Sequence, residues 1–203
     1  MMAQITMQSE TRNETVFSTE PLESLDHLLN ESDTCTEAEI LEAVRGFVAG
    51  DLTLAQLEGL SAEEIYRLAD IGYDLLSEGK LEEARRIFEG LYVYNPFDSY
   101  FHAALGSVYQ QQGLLEESFR HYESAVQLYA EDLASWANLG EVALELAAQA
   151  AHEPETAAIH LNQAHEAFSR VLALDPTGAA PSSLRARALV AAVASIAAGQ
   201  GAA

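Results

Sequence analysis

Three glycines set the frame for this chain. Gly72, Gly106 and Gly140 stand 34 residues apart, and their neighbours keep the same register. Ile71, Leu105 and Leu139 precede them. Leu68, His102 and Trp136 lie four residues before, and Leu75, Tyr109 and Ala143 three after. Gly79 and Gly113 then mark a turn, followed by Glu82-Glu83 and Glu116-Glu117. Ala84 and Ser118, Phe88 and Tyr122, and Leu91 and Ala125 continue the correspondence. A fixed period of this length is the mark of one supersecondary unit stacked on copies of itself. Spacings of three and four residues between the apolar positions point to helices rather than strands.

The order of side chains is that of the tetratricopeptide repeat. The first helix carries large, aliphatic, small and large residues; the second carries small, aromatic and small ones, with Pro96 at the exit of the first unit. Packing is the reason: a small residue on the first helix lets the second cross it closely at its own small residue, and the aromatic fills the space between neighbouring units. In the third unit, Trp136, Leu139, Gly140 and Ala143 match at once. Ala164, Phe168, Val171 and Pro176 match only after a 12-residue insertion. Residues 145–151 are expected to prolong the first helix by about two turns. Pro154 is then placed in the first turn of the second.

The expected architecture is all-α: three tetratricopeptide helix pairs in a right-handed superhelix, with N-terminal helices and a C-terminal capping helix. The repeats cover 61–178, as 61–96, 99–130 and 133–176 with the insertion. Residues 1–35 read as a largely disordered acidic tail, polar and without a sustained period, with a short amphipathic piece at Pro21–Leu29. Residues 36–60 read as N-terminal helices. Thr36 with Glu39 and Ser61 with Glu64 form capping pairs, and Ile40, Leu41, Val44, Phe47 and Val48 form one apolar stripe. A last helix, 181–198, with Leu184, Leu189, Val193 and Ile196, is expected to cover the end of the stack.

If Leu68, Ile71, Gly72, Leu75 and their counterparts are the packing face, the opposite face of each first helix points into a groove. Its residues are Tyr66, Ala69, Tyr73 and Leu76; Tyr100, Ala103, Ser107 and Gln110; and Ala134, Ala137, Glu141 and Leu144. Tyrosines at the rim and small residues on the floor leave room for an extended peptide, to which a tyrosine offers both apolar area and a hydroxyl. No Lys or Arg is among the twelve, so capture of a C-terminal carboxylate is disfavoured. Ala69, Ala103 and Ala137, with the tyrosines, suit an aliphatic or proline-bearing segment.

Composition narrows the partners. The chain has 203 residues, with 32 Asp+Glu against 10 Lys+Arg and a formal net charge of −22. Such a surface repels nucleic acid and anionic membranes and attracts basic or amphipathic polypeptides. The single cysteine, Cys35, forms neither an internal disulfide nor a paired metal site. The N-terminus has no secretory signal pattern, and no run is apolar enough to span a bilayer, so a cytoplasmic location is expected. Six histidines give no HExxH, and no GxxxxGK[ST], GxGxxG or GxSxG occurs. Paired glutamates fall in first turns of helices, where they complement the dipole. The expectation is a binding protein with no catalytic residues, metal or cofactor.

The span from Gly50 to Leu144 resembles the tetratricopeptide chaperones of type III secretion translocators, the LcrH/SycD class. GDLTLAQLEGLSAEEIYRLA resembles the entry segment of that family. GYDLLSEGKLEEARRIFEGLYVYNPFDSYFHAALGSVYQQQGLLEESFRHYESAVQL resembles its first two repeats, with the Tyr94-Asn95-Pro96-Phe97-Asp98 junction the most telling part. The resemblance implies a bacterial cytoplasmic chaperone that keeps a hydrophobic translocator soluble before export, gripping an extended segment in its groove. It implies a homodimer through 36–60, and groove roles for Tyr66, Ala69, Tyr73, Tyr100 and Ala103. The long N-terminal tail, the insertion and the Ala-rich end depart from the family. A generic repeat scaffold or assembly factor of an envelope or pilus machine is the alternative.

Overall fold

The computed structural model describes residues 37–200. The tail 1–35, its Pro21–Leu29 piece, Cys35 and the capping pair begun by Thr36 lie outside the described residues. Among those described there are nine helices and no strand: α1 (Glu37–Ala49), α2 (Leu54–Leu57), α3 (Ala62–Ser77), α4 (Leu81–Tyr94), α5 (Ser99–Gln111), α6 (Leu115–Leu128), α7 (Leu133–Gln149), α8 (Pro154–Leu174) and α9 (Pro181–Gln200). The chain divides into two compact units between Val108 and Tyr109, within α5.

In the first unit, reciprocal caps start two helices. The Gln56 N–H donates to Thr53 Oγ1 at 3.2 Å, and the Thr53 N–H to Gln56 Oε1 at 2.8 Å. At α3 the Glu64 N–H donates to Ser61 Oγ at 3.3 Å, and the Ser61 N–H returns to Glu64 Oε2 at 3.0 Å. The Ser61 pair follows the sequence reading; the Thr53 pair was not foreseen. Such boxes satisfy donors that a helix start otherwise leaves open. α3 ends at Gly79, whose φ of +76° suits glycine. There the Lys80 N–H donates to the Leu75 carbonyl and the Gly79 N–H to that of Leu76, closing a Schellman turn. α4 then returns along α3.

The glycine explains the closeness of that return. A Cβ on Gly72 would stand 2.9 Å from Phe88 Cζ and 3.0 Å from Ile87 Cγ2. Phe88 is fully buried, worth about 1.5–3 kcal/mol in removed apolar surface. The aromatic thus fills the crossing inside its own repeat, where the sequence reading placed it between neighbouring units; its ring also meets Tyr100 at 6.4 Å. The packing face of α3 departs from expectation: Gly72 is buried, but Leu68 and Ile71 are 46% and 51% exposed. The repeat pattern assumes a preceding repeat on that side, and α1 and α2 do not supply one. The stripe on α1 is uncovered too, with Leu41, Val44, Phe47 and Val48 all exposed.

The second unit begins with the last turn of α5. The Leu114 N–H donates to the Tyr109 carbonyl and the Gly113 N–H to that of Gln110, repeating the Schellman turn. α7 packs against α6 and α8, and α9 against both α7 and α8. Phe168 sits on Gly140, where an added Cβ would meet its ring at 2.5 Å. The core around it is Ala137, Ala143, Ala164, Val171 and Ala186. α7 has 17 residues against 13 in α5, and α8 has 21 against 14 in α6. The insertion therefore lengthens α7 by one turn, not two, and most of it goes to the start of α8, with Pro154 in the first turn. In α9 the buried face is Ser183 and Ala186, with Leu189 and Val190 half-buried; Leu184 and Val193, expected inside, are exposed. Alanine and serine fit the close approach that leucine would block.

Candidate functional site

The twelve residues put forward for the binding face divide by burial. Ala69, Leu76, Ala103, Ser107 and Ala137 are buried, at 0–6% exposure. Tyr66, Tyr73, Tyr100, Gln110 and Glu141 are half-buried and keep accessible surface, as do Ala134 and Leu144. Ala69, Ala103 and Ala137 thus lie under the surface, and tyrosines, glutamine and glutamate carry most of what is open.

In the first unit the tyrosines are held by the fold. The Tyr66 hydroxyl donates to Asp98 Oδ2 at 2.7 Å. The other oxygen of Asp98 accepts the Tyr100 N–H at 2.9 Å, capping α5. The Tyr66 ring meets Tyr100 edge-on at 6.1 Å and Phe101 at 5.9 Å, and Tyr100 meets Phe88 at 6.4 Å. These are favoured aromatic geometries, so Tyr66 has a structural task beside any binding one. Burial pushes the Asp98 carboxyl up, opposed by the Tyr66 hydroxyl and the Tyr100 N–H. His102 Nε2 donates to the Pro96 carbonyl at 3.0 Å, and burial pulls its pKa down. Asn95, fully buried, accepts the Phe97 N–H at 3.2 Å. The Asn-Pro-Phe-Asp junction is therefore a hydrogen-bonded corner that fixes the start of α5.

In the second unit Asp132 repeats the cap, 34 residues on. Its Oδ1 accepts the Ala134 N–H at 2.9 Å and its Oδ2 the Ser135 hydroxyl at 2.6 Å. Around the open residues runs a polar chain. Gln110 Nε2 donates to Glu145 Oε1 at 2.9 Å, and the Tyr122 hydroxyl reaches Gln110 Oε1 at 3.5 Å. Asn138 Nδ2 donates to that hydroxyl at 3.3 Å. Arg185 of α9 donates from Nη2 to Asn138 Oδ1 at 2.6 Å and pairs through Nε with Glu141. Burial pushes the Glu141 carboxyl up; Arg185 opposes the shift and Glu145 adds to it. The capping role of Asp98, and Asn138 and Arg185 altogether, escaped the sequence reading. The recurrence of aspartate at 98 and 132 was a visible signal for the caps; nothing in the repeat pattern pointed to α9.

Among the described residues no group of three or more His, Cys, Asp or Glu could hold a metal ion. No helix among them is long and apolar enough to cross a membrane.

No protein-family model matches the chain. The low calcium response locus protein H of Yersinia pestis is 27% identical over 92 residues, 45% of this chain and 55% of that protein. The chain thus spans about half the length of the curated relatives it matches. Solved structures align further. A T3SS complex from Aeromonas hydrophila matches with a TM-score of 0.64 at 22% identity, covering 76% of this chain and 96% of that one. The type III secretion translocator chaperone SycD of Yersinia enterocolitica matches with a TM-score of 0.57 at 20% identity, over 70% and 98%. The resemblance is to the translocator chaperones of type III secretion. PcrH, of Pseudomonas aeruginosa, shares this translocator-chaperone fold: in complex with the chaperone binding region of PopD it matches at 0.56 and 24% identity, over 68% and 96%. Nearly the whole length of each of these solved chains finds a counterpart here, and about a quarter to a third of this chain lies outside each match.

Proposed function

We propose that this chain is a bacterial cytoplasmic chaperone that binds an extended hydrophobic segment of a type III secretion translocator and keeps it soluble and export-competent. The observation that carries the reading is the near-complete alignment with SycD and with PcrH bound to a chaperone binding region. The residues favour it physically. Tyr66, Tyr73 and Tyr100 offer half-buried aromatic surface over buried Ala69, Leu76, Ala103 and Ser107, a lining for aliphatic or proline-bearing peptide. The second unit, taken by itself, offers half-buried Gln110 and Glu141 beside buried Ala137. The exposed stripe on α1 is the surface proposed for homodimer formation, since an apolar patch of this kind marks an interface. No enzymatic step is invoked.

The test is co-expression with the product of a neighbouring gene that encodes one or two transmembrane segments and coiled coils. The client should move from the insoluble to the soluble fraction and co-purify with the chaperone. Tyr73→Glu should weaken that complex while leaving helicity unchanged. A client whose solubility does not depend on the chain would sink the reading.

A further inference from the structure

Every residue assigned above to the binding face lies on the first helix of a repeat. Arg185 does not: it lies on α9, yet its guanidinium sits on α7, on Glu141 and Asn138. Its side chain is 30% exposed and that of Glu141 18%. An arginine has five N–H donors in a planar fork. Nε is buried and paired by charge with Glu141 without a hydrogen bond, and one donor of Nη2 is engaged by Asn138. Arg185 has no other hydrogen bond or ion pair among the described residues, and its side chain keeps exposed surface. Glu141 already offsets its charge, and Glu145 lies one turn further along α7. The neighbourhood is thus net negative, which repels a client carboxylate but not a neutral carbonyl.

An extended apolar segment has few polar side chains, but each of its residues brings a main-chain carbonyl with no partner of its own. We propose that Arg185 is a further binding residue of the same face, its free donors taking main-chain carbonyl oxygens of the extended client. α9 is then part of the grip and not only the end of the stack. The inference rests on the client-binding reading above. It adds to a face whose twelve repeat residues include no Lys or Arg a cation from outside the repeats.

The test uses the full chain and a phage-displayed library of random peptides. Peptides selected by the wild type are synthesised and titrated against R185M, R185K and the double variant E141Q/R185M, each also melted thermally. The double variant removes both partners of the pair and leaves no buried charge alone. R185K keeps a charge opposite Glu141 but withdraws the fork. Wild-type selection of apolar peptides is expected. All three variants should bind those peptides about tenfold or more weakly, the loss of a charge-assisted hydrogen bond, and the double variant and R185K should melt as the wild type does. Wild-type affinity in the double variant would overturn the inference, because Arg185 would then only neutralise Glu141. Wild-type selection of no apolar peptides would overturn the client-binding reading, and this inference with it.

Discussion

Gly140→Ala tests the packing logic of the repeat at its tightest point. An added Cβ would lie 2.5 Å from Phe168 Cε1 and 2.8 Å from Cδ1 and Cζ, closer than carbon atoms approach. The ring has nowhere to go, being 2% exposed and walled by Ala137, Ala143, Ala164, Val171 and Ala186. Overpacking of this kind costs about 1–3 kcal/mol. Against it, alanine gains about 1 kcal/mol over glycine in a helix interior. The expected net is a loss of up to about 2 kcal/mol. Gly90→Ala is the control: that glycine is in α4, exposed, and nothing lies within 4 Å of its added Cβ. It should gain about 0.5–1 kcal/mol. Urea unfolding followed by circular dichroism gives both values, and their difference isolates the clash. A G140A protein as stable as G90A would refute the argument that the glycine is there for Phe168.

Two further perturbations address the caps. Tyr66→Phe removes a hydrogen bond to a buried carboxylate and should cost about 1.5–3 kcal/mol near neutral pH. Because Asp98 is held above its ordinary pKa, the folded state binds its proton more tightly, and loss of the Tyr66 hydroxyl raises that pKa further. The deficit should therefore shrink as pH falls through the folded value; unfolding curves showing the same deficit at about pH 7 and about pH 4 would contradict this. Asp175→Ala acts at the other end of the chain. Asp175 accepts the N–H groups of Gly178 and Ala180, each at 2.9 Å, and the Thr177 hydroxyl at 2.6 Å, which hold its carboxyl far below the usual range. Its contribution is present above the unfolded pKa and lost in acid. The variant should speed amide hydrogen exchange in the first turns of α9 and leave α7 unchanged; unaltered exchange in α9 would exclude the role.

The parts that could be read from sequence are those set by local or periodic chemistry. Gly79 and Gly113 announced their turns, Ser61 and Glu64 their cap, and the Gly72–Phe88 and Gly140–Phe168 crossings follow from one repeated pattern. What could not be read depends on neighbours that periodicity does not specify. Leu68 and Ile71 occupy packing positions by register, but burial requires a helix on that side. The Tyr66–Asp98 bond joins two residues of adjoining repeats, and neither residue type announces the other. Arg185 belongs to a helix outside the pattern, so its reach to Glu141 was invisible. The binding face was thus legible as a set of positions, and only partly as a set of available atoms.

The third repeat's extra length has a consequence for orientation. Four added residues in α7 and seven in α8 are close to one and two full turns at 3.6 residues per turn. At 100° per residue they overshoot by about 40° and fall short by about 20°. The helices therefore grow with little rotation about their axes, and Phe168 still lands on Gly140. An insertion of ten or fourteen residues, split without regard to the turn, would have swung the aromatic away from the glycine. The segment at the tip, 150–153, is in this way carried outward while the faces below it stay in phase.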